Sequence, residues 1–475
     1  MALKNTKFGP QKIDEMLKDR KNLFFAGIGG ISMNSLAHLS MLRGFDVAGY
    51  DRSESDITRK LEKNGAKVYY EANESHMKDR EALIYTVAMP ESNPEYRYAE
   101  ENSIPVISRS DYLGYLMSDY RTRIGVSGTH GKSTTTAMIG KIFKDAGDRP
   151  TVLNGAVMKE TGTVDIIGDR DYFVFEACEY MDSFLEFFPT IAVVLNIEVD
   201  HVDYFNSLNQ IVDSFTNFIN IAGSDGYAVI NLNDKDCIAA AEKSVCKVVS
   251  FAHENSNADY YSDNEISVGG FPEFDVMHEG KKLARIKLKI PGEHNVSDAL
   301  AAFAAASLCG VDPETIAASL SSFEGIKRRM EKICETDRGS HLYTDYAHHP
   351  TEITASIRGI RKICTGKLKI VFQPHTFSRT ASLFDDFVRA FAGSEADEII
   401  LCDIYPARET NVYGVSSEML SEAINAQSKP CSIVGDFDKT AEYVYSSSGE
   451  DDIIVVMGAG DVVKVSDIIT DRHKA

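Results

Sequence analysis

The sequence predicts an α/β protein of three domains, on three observations. The chain has 475 residues, whereas a single hydrophobic core rarely grows past roughly 250–300 residues. Short apolar runs alternate with helical patterns along its length, which is the signature of parallel sheets. Several of those runs end in glycine-rich turns, at Gly27-Ile28-Gly29-Gly30, Gly128-Thr129-His130-Gly131 and Gly458-Ala459-Gly460. In doubly wound folds ligands sit at such turns, beyond the carboxyl ends of the strands.

In the first domain, Leu23 to Ala26 is an apolar strand, and the turn follows at once. Leu36, Leu39 and Leu42 recur at helical spacing, Gly44 stops the helix, and Val47 to Tyr50 is a second strand closed by Asp51. In the second domain, Arg123 to Ser127 is a strand, Gly128 to Lys132 a loop and Ser133 to Ala146 a helix. Tyr172 to Phe175 and Ile191 to Leu195 are nearly continuous apolar runs, as buried parallel strands require. Ile266 to Ile290 is broken by Gly269-Gly270 and Pro272 and reads as an antiparallel excursion. In the third domain, Ile353, Ile357, Ile360 and Ile363 lie at helical spacing among strands at Leu368 to Phe372, Glu398 to Leu401 and Asp452 to Val456. The predicted boundaries are 1–117, 118–326 and 327–475. The outer two domains read as Rossmann-like parallel sheets and the central one as an α/β domain of phosphate-loop type.

Composition narrows the function. Hydrophobic residues make up 43 % of the chain and charged residues 25 %, ordinary values for globular domains. The net charge of −21 argues against nucleic acid or an anionic membrane as partner, because both attract basic surfaces. An anionic small molecule stays open, since a few basic side chains reverse a local field. No apolar run approaches the ~20 residues of a membrane span, and Met1 to Lys21 lacks a signal-type apolar segment. A cytoplasmic location is expected. None of the eight cysteines forms a CxxC pair, so neither a zinc site nor a disulfide framework is expected. A monomer and a homodimer both stay open.

The strongest chemical signal is Gly125-Val126-Ser127-Gly128-Thr129-His130-Gly131-Lys132-Ser133-Thr134. A triphosphate must meet several backbone N–H groups at once, so glycines let the chain wrap it, and the following helix N-terminus favours its charge. Lys132 supplies a cation for the outer phosphates, and Ser133, with Thr134, a hydroxyl for Mg²⁺. The expected cofactors are ATP and Mg²⁺. Val126 stands where a strict Walker loop has glycine. Gly27-x-Gly29-x-x-Ser32 lacks the third glycine of the dinucleotide fingerprint, although Asp51 falls where a ribose-binding acid belongs. A bare strand–helix turn and a nucleotide site fit that segment equally well.

Further polar residues cluster at strand ends. Glu176, Asn196, Asp200 and His201 follow buried strands, where carboxylate and imidazole could hold Mg²⁺. Gly292-Glu293-His294-Asn295 opens a helical stretch; Asn295 reads as its cap, with a nucleotide contact as the alternative. Arg328-Arg329 reads as a solvated basic pair, although a linker arginine can also stabilise transferring phosphate. Asp345, His348 and His349, then His375 and Arg379, are more polar residues at strand ends than a core needs.

Together these motifs resemble the Mur ligases of the peptidoglycan pathway. The resemblance rests on Gly27 to Gly30, Gly128 to Thr134, Glu176-Ala177-Cys178-Glu179-Tyr180, Asn196 to His201, Gly292 to Asn295, Phe323 to Arg329, Asp345 to Pro350 and Phe372 to Thr380, in order over nearly the whole chain. It implies an ATP-dependent ligase that joins L-alanine to the carboxylate of UDP-N-acetylmuramate through an acyl phosphate. It implies UDP-sugar binding at Gly27, Gly29, Gly30 and Asp51, and ATP binding at Gly128, Thr129, His130, Gly131, Lys132, Ser133, Thr134, His294, Asn295, Arg329 and Asp345. Thr129, Ser133, Glu176 and His201 are the implied metal ligands. His348, His375 and Arg379 face the amino acid and the muramyl group, and the implied catalytic set is Lys132, Glu176, His201, Arg329, His348, His375 and Arg379. Two departures stand out: Cys178 and Thr376 occupy positions where the family often has an acidic and a basic residue. Rival readings are a ligase for a recycled tripeptide, a non-catalytic nucleotide switch and, from Gly27 to Asp51 alone, a nicotinamide-dependent oxidoreductase.

Overall fold

The computed structural model describes residues 3–200, 204–205, 207–407 and 409–474. These fall into two compact units, one of residues 1–198, 209–250 and 301–311, the other of 199–208, 251–300 and 312–475.

The first unit holds a parallel sheet and the parallel part of a mixed sheet. One runs Lys67–Tyr69, Asp46–Tyr50, Asn22–Ala26, Ala82–Tyr85, Val106–Ser108 in spatial order. Its centre is apolar on both faces: Leu23, Phe24, Phe25, Leu83 and Ile84 have no exposed surface. That accounts for the continuous apolar runs, since helices cover a parallel sheet on both sides. The second sheet runs Thr163–Ile166, Thr151–Met158, Tyr172–Glu176, Thr122–Ser127, Ile191–Val194, Tyr227–Asn231. It is parallel apart from the antiparallel edge Thr163–Ile166. The predicted strands and the helix after the phosphate loop are present; that helix spans Lys132–Asp145. The Thr151–Met158 and Thr163–Ile166 pair went unread in the sequence because it has no clean alternation, and its register breaks between Leu153 and Met158.

In the second unit, the predicted antiparallel excursion is the meander Tyr260–Val268, Phe271–His278, Lys281–Lys287. The unit's main sheet runs Glu331–Glu335, His341–Asp345, Ile453–Met457, Leu368–Phe372, Glu398–Leu401, Cys431–Ser432, with only the first strand antiparallel. Lys369 lies inside a fully buried strand, yet its ammonium donates to the Ser447 carbonyl at 2.6 Å and hydroxyl at 2.7 Å. A buried charge is tolerated there because it is hydrogen-bonded.

Candidate active site

The first unit brings together the carboxyl ends of three adjacent strands. Parallel register sets Glu176 beside Val126 and Val194 beside Ser127, so the turns after all three open at one edge. Gly128 (φ +138°) lies against Leu195 and Asn196, where a Cβ would come within 3.0 Å of a neighbour. Gly131 (φ +84°) caps the helix in a left-handed conformation. Both positions require glycine. Asn196 ties the loop down: its side-chain oxygen accepts from His130 N–H at 2.8 Å, and its amide donates to the His130 carbonyl at 3.1 Å. The Thr129 hydroxyl accepts from Glu198 N–H at 2.9 Å, and the His130 ring lies 3.5 Å from the Glu198 carboxylate.

Lys132 folds back over its own loop. Its ammonium donates to the carbonyls of Gly128 (2.5 Å) and Thr129 (3.1 Å) and to Glu179 (3.2 Å). Burial pushes its pKa down, but Glu179, Cys178 and Glu176 outweigh this and leave it raised, so it stays charged. Glu179 is 3 % exposed and is the loop lysine's counter-ion. The Glu176 carboxylate accepts from Gly155 N–H. Burial also pushes the Cys178 thiol up, and the nearby Lys132 and Arg109 only partly offset it. Glu179 is followed by Met181 and Asp182 in left-handed backbone conformations, with the Asn5 amide donating to the Met181 carbonyl at 3.4 Å and the Ser183 hydroxyl at 3.2 Å.

The other glycine turn of this unit has a different build. Gly29 N–H donates to the Asp51 carboxylate at 2.8 Å, so the predicted ribose acid first holds its own loop. Gly27 packs against Thr86 and Gly30 against the Gly27 carbonyl. The helix Ile31–Leu42 starts at Gly30 with no side-chain cap. Arg109 reaches into its first turn and donates to the Ser32 hydroxyl at 2.9 Å.

The second unit gathers the remaining candidates in two groups. Arg329 pairs with Glu352 at 3.1 Å, and both Arg328 and Arg329 lie over the Tyr346 ring. Arg328 donates to the carbonyls of Gly458 (2.7 Å) and Gly460 (3.2 Å). The expectation of a solvated basic pair is thus overturned: each guanidinium has a fixed partner. Asp345 is buried and accepts from the Ser356 hydroxyl (2.6 Å) and Ala347 N–H (3.1 Å); burial raises its pKa, against Arg329 and those hydrogen bonds. His294 covers Gly292, and Asn295 is not a helix cap: its amide donates back to the Pro291 carbonyl at 2.7 Å.

The second group centres on His375. Its ring stacks on Tyr405 at 5.4 Å and meets His348 edge-on at 6.0 Å. Burial, then His348 and Arg379, push its pKa down to about 4, so the ring is neutral at pH 7. Arg379 donates to the His375 carbonyl at 3.2 Å and pairs with Asp200 at 3.0 Å. His348 contacts Glu352 through its ring at 3.2 Å and its N–H at 3.0 Å. Glu409 accepts from the Thr376 hydroxyl (2.7 Å), Ser378 N–H (2.8 Å) and the Ser378 hydroxyl (2.5 Å), fixing the turn between His375 and Arg379. His201 lies outside the described residues. Sequence reasoning assigned no role to Arg109, Glu352 or Glu409, and gave Glu179 none beyond its motif. Of these only Glu179, three residues after Glu176, carried a local signal.

A lysine-bearing glycine loop between a buried central strand and a helix, edged by carboxylates, defines a phosphate-binding-loop enzyme of the α/β class. Models of the Mur ligase family match the chain in three parts: the catalytic domain over residues 23–121, the middle domain over 126–306 and the glutamate ligase domain over 328–460. A UDP-N-acetylmuramate–L-alanine ligase of Caldicellulosiruptor saccharolyticus is 45% identical over 94% of this chain and 98% of its own length. One from Clostridium acetobutylicum is 41% identical over 95% and 98%. Among solved structures, the UDP-N-acetylmuramate–alanine ligase of Thermotoga maritima has a TM-score of 0.81 at 25% identity, covering 95% of this chain and 99% of that one. The chain belongs to the Mur ligase family.

Proposed function

We propose that this protein joins L-alanine to the lactyl carboxylate of UDP-N-acetylmuramate, with ATP as the energy source, in peptidoglycan synthesis. The observation that carries this reading is 45% identity, over nearly the full length of both chains, to a ligase of that name. The site supports it. A carboxylate is a poor electrophile, so its oxygen first attacks the γ-phosphorus of ATP and ADP leaves. The alanine amine then attacks the acyl phosphate carbonyl, and phosphate and a proton are released. Lys132, held charged by Glu179, spreads the charge of the transferring phosphoryl group.

Thr129, Ser133 and Glu176 offer hard oxygen donors beside the loop, which suits Mg²⁺; His201 is assigned with them from its motif. Mg²⁺ supplies charge neutralisation on the phosphates when bound. Gly128, His130, Gly131 and Thr134 complete the phosphate cradle, and Gly27, Gly29, Gly30 and Asp51 take the UDP end of the sugar nucleotide. His294, Asn295, Arg329 and Asp345 are assigned to ATP, and His348, His375 and Arg379 to the amino acid and muramyl group. In the second unit, Arg379 suits a carboxylate and the neutral His375 ring an amine. The assigned domains are residues 1–117 for the UDP-sugar, 118–326 for ATP and 327–475 for the amino acid. Among the described residues no helix is long and apolar enough to cross a membrane. The need for ATP assigns the enzyme to the cytoplasm.

The test is phosphate release from ATP with UDP-N-acetylmuramate and each candidate acceptor. Alanine-dependent release, with the ligated product found by mass spectrometry, is expected. Turnover with the L-alanyl tripeptide but not with alanine would overturn the assignment.

A further inference from the structure

Two candidate residues of the second unit are held by one carboxylate. Glu352 lies in the first turn of the helix Pro350–Arg361 and is 8 % exposed. Its two oxygens have different partners. Oε1 accepts from the Arg329 guanidinium at 3.1 Å. Oε2 accepts from His348 N–H at 3.0 Å and lies 3.2 Å from Nδ1 of the same residue's ring. The Tyr346 carbonyl is a further neighbour of that Nδ1, at 3.1 Å. A carbonyl oxygen only accepts, so Nδ1 carries the proton, and the neutral ring has its lone pair on Nε2. The Tyr346 ring touches both partners: the Arg329 guanidinium lies over it at 5.4 Å, and the His348 ring meets it edge-on at 5.5 Å. A carboxylate this buried is stable because donors meet both of its oxygens.

We propose that Glu352 is a positioning residue that ties Arg329 to His348, and so sets the ATP contact and the amino-acid contact of the second unit at one fixed spacing. The inference rests on the roles proposed above for Arg329 and His348, and adds the residue through which they act together. Through Oε1, the Arg329 guanidinium is fixed over Tyr346. Through Oε2 and the Tyr346 carbonyl, the His348 ring is fixed with Nε2 as an acceptor for the N–H of an amine. In Glu352→Gln a single acceptor oxygen remains, so one partner meets an amide N–H whichever way the amide is turned. Glu352→Asp keeps both acceptors and is one methylene shorter.

The experiment compares the full-length protein with Glu352→Gln and Glu352→Asp. It measures calorimetric affinity for ATP with Mg²⁺, calorimetric affinity for UDP-N-acetylmuramate without ATP, and KM for the acceptor from phosphate release. Glu352→Gln is expected to weaken ATP about fivefold and to raise the acceptor KM about tenfold, with UDP-N-acetylmuramate unchanged within about twofold. Glu352→Asp is expected to recover part of both losses. In a His348→Gln background, Glu352→Gln should raise the acceptor KM by less than about twofold further, because the ring it holds is already gone. A structural role alone would weaken all three ligands, and its effect would multiply in that background. Either of those results overturns the proposal. So do wild-type values for ATP and acceptor, or a loss confined to one of the two. If Glu352→Gln does not fold, Glu352→Asp decides by the same criteria. The acceptor is whichever of L-alanine and the L-alanyl tripeptide the wild type turns over, so the alanine reading fails in the wild type and the Glu352 proposal in the variants.

Discussion

The turns at 27–30 and 128–132 both leave an interior strand with parallel neighbours on both sides and both feed a helix that begins without a side-chain cap. They differ in the basic residue beside them. In the second turn the cation is part of the motif: Lys132 follows Gly131 directly and lies on the loop's own carbonyls. Beside the first turn, Arg109 comes from the end of another strand and donates to the Ser32 hydroxyl. The second turn is braced by Asn196, Glu198 and Glu179, all from neighbouring strand ends, whereas the first is braced by Asp51 and Thr86. The surroundings of the second turn are encoded largely in its own motif, and those of the first are assembled by the sheet order.

The largest effect should come from removing the local cation. Lys132→Ala is expected to reduce alanine-dependent phosphate release by about 10³-fold while leaving UDP binding within twofold; a variant with near wild-type turnover would break the assignment. Next comes its counter-ion. Without Glu179, burial is the dominant influence on Lys132 and its pKa falls. Glu179→Gln should lower kcat about tenfold, equivalent to ~1.4 kcal/mol, with partial recovery at lower pH as Lys132 regains its proton. An unchanged pH–rate profile would count against the pair.

A smaller effect is expected at the other turn. A Cβ on Gly29 would come within 2.7 Å of the Asp51 carboxylate and 2.9 Å of Thr58. Gly29→Ala should raise KM for the sugar nucleotide about fivefold, within the ~1–3 kcal/mol range of a disturbed contact, and leave KM for ATP unchanged. Equal changes in both constants would show that the turns are not independent. The smallest effect concerns Cys178. Its thiol is held above its usual pKa by burial despite Lys132 and Arg109. Its alkylation by iodoacetamide at pH 7.5 should be slower than that of a free thiol, and fast labelling would mean that the two cations dominate.

Much of the fold was legible because parallel strands buried on both faces are continuous apolar runs. Leu368–Phe372 and Ile453–Met457 are buried at every position, and no surface pattern obscures them. The hairpin at Thr151–Met158 was not legible, because its exposed Gly155 interrupts the pattern. The site divides the same way. Lys132 and the glycines around it were legible as a motif, since one short loop must do all the wrapping. The fixed partners of Arg328, the back-bonded amide of Asn295 and the bracing of Ser378 by Glu409 were not, because each depends on contacts that the sequence pattern does not display.

By itself, the sequence determined the α/β class, the order of the elements and the phosphate loop, because backbone periodicity and glycine geometry act within a few residues. Only the tertiary structure decided which charges meet. It set Glu179 against Lys132 and Arg109 against Ser32. Electrostatic partners are chosen by distance and burial, and in a folded chain neither follows from separation along the sequence.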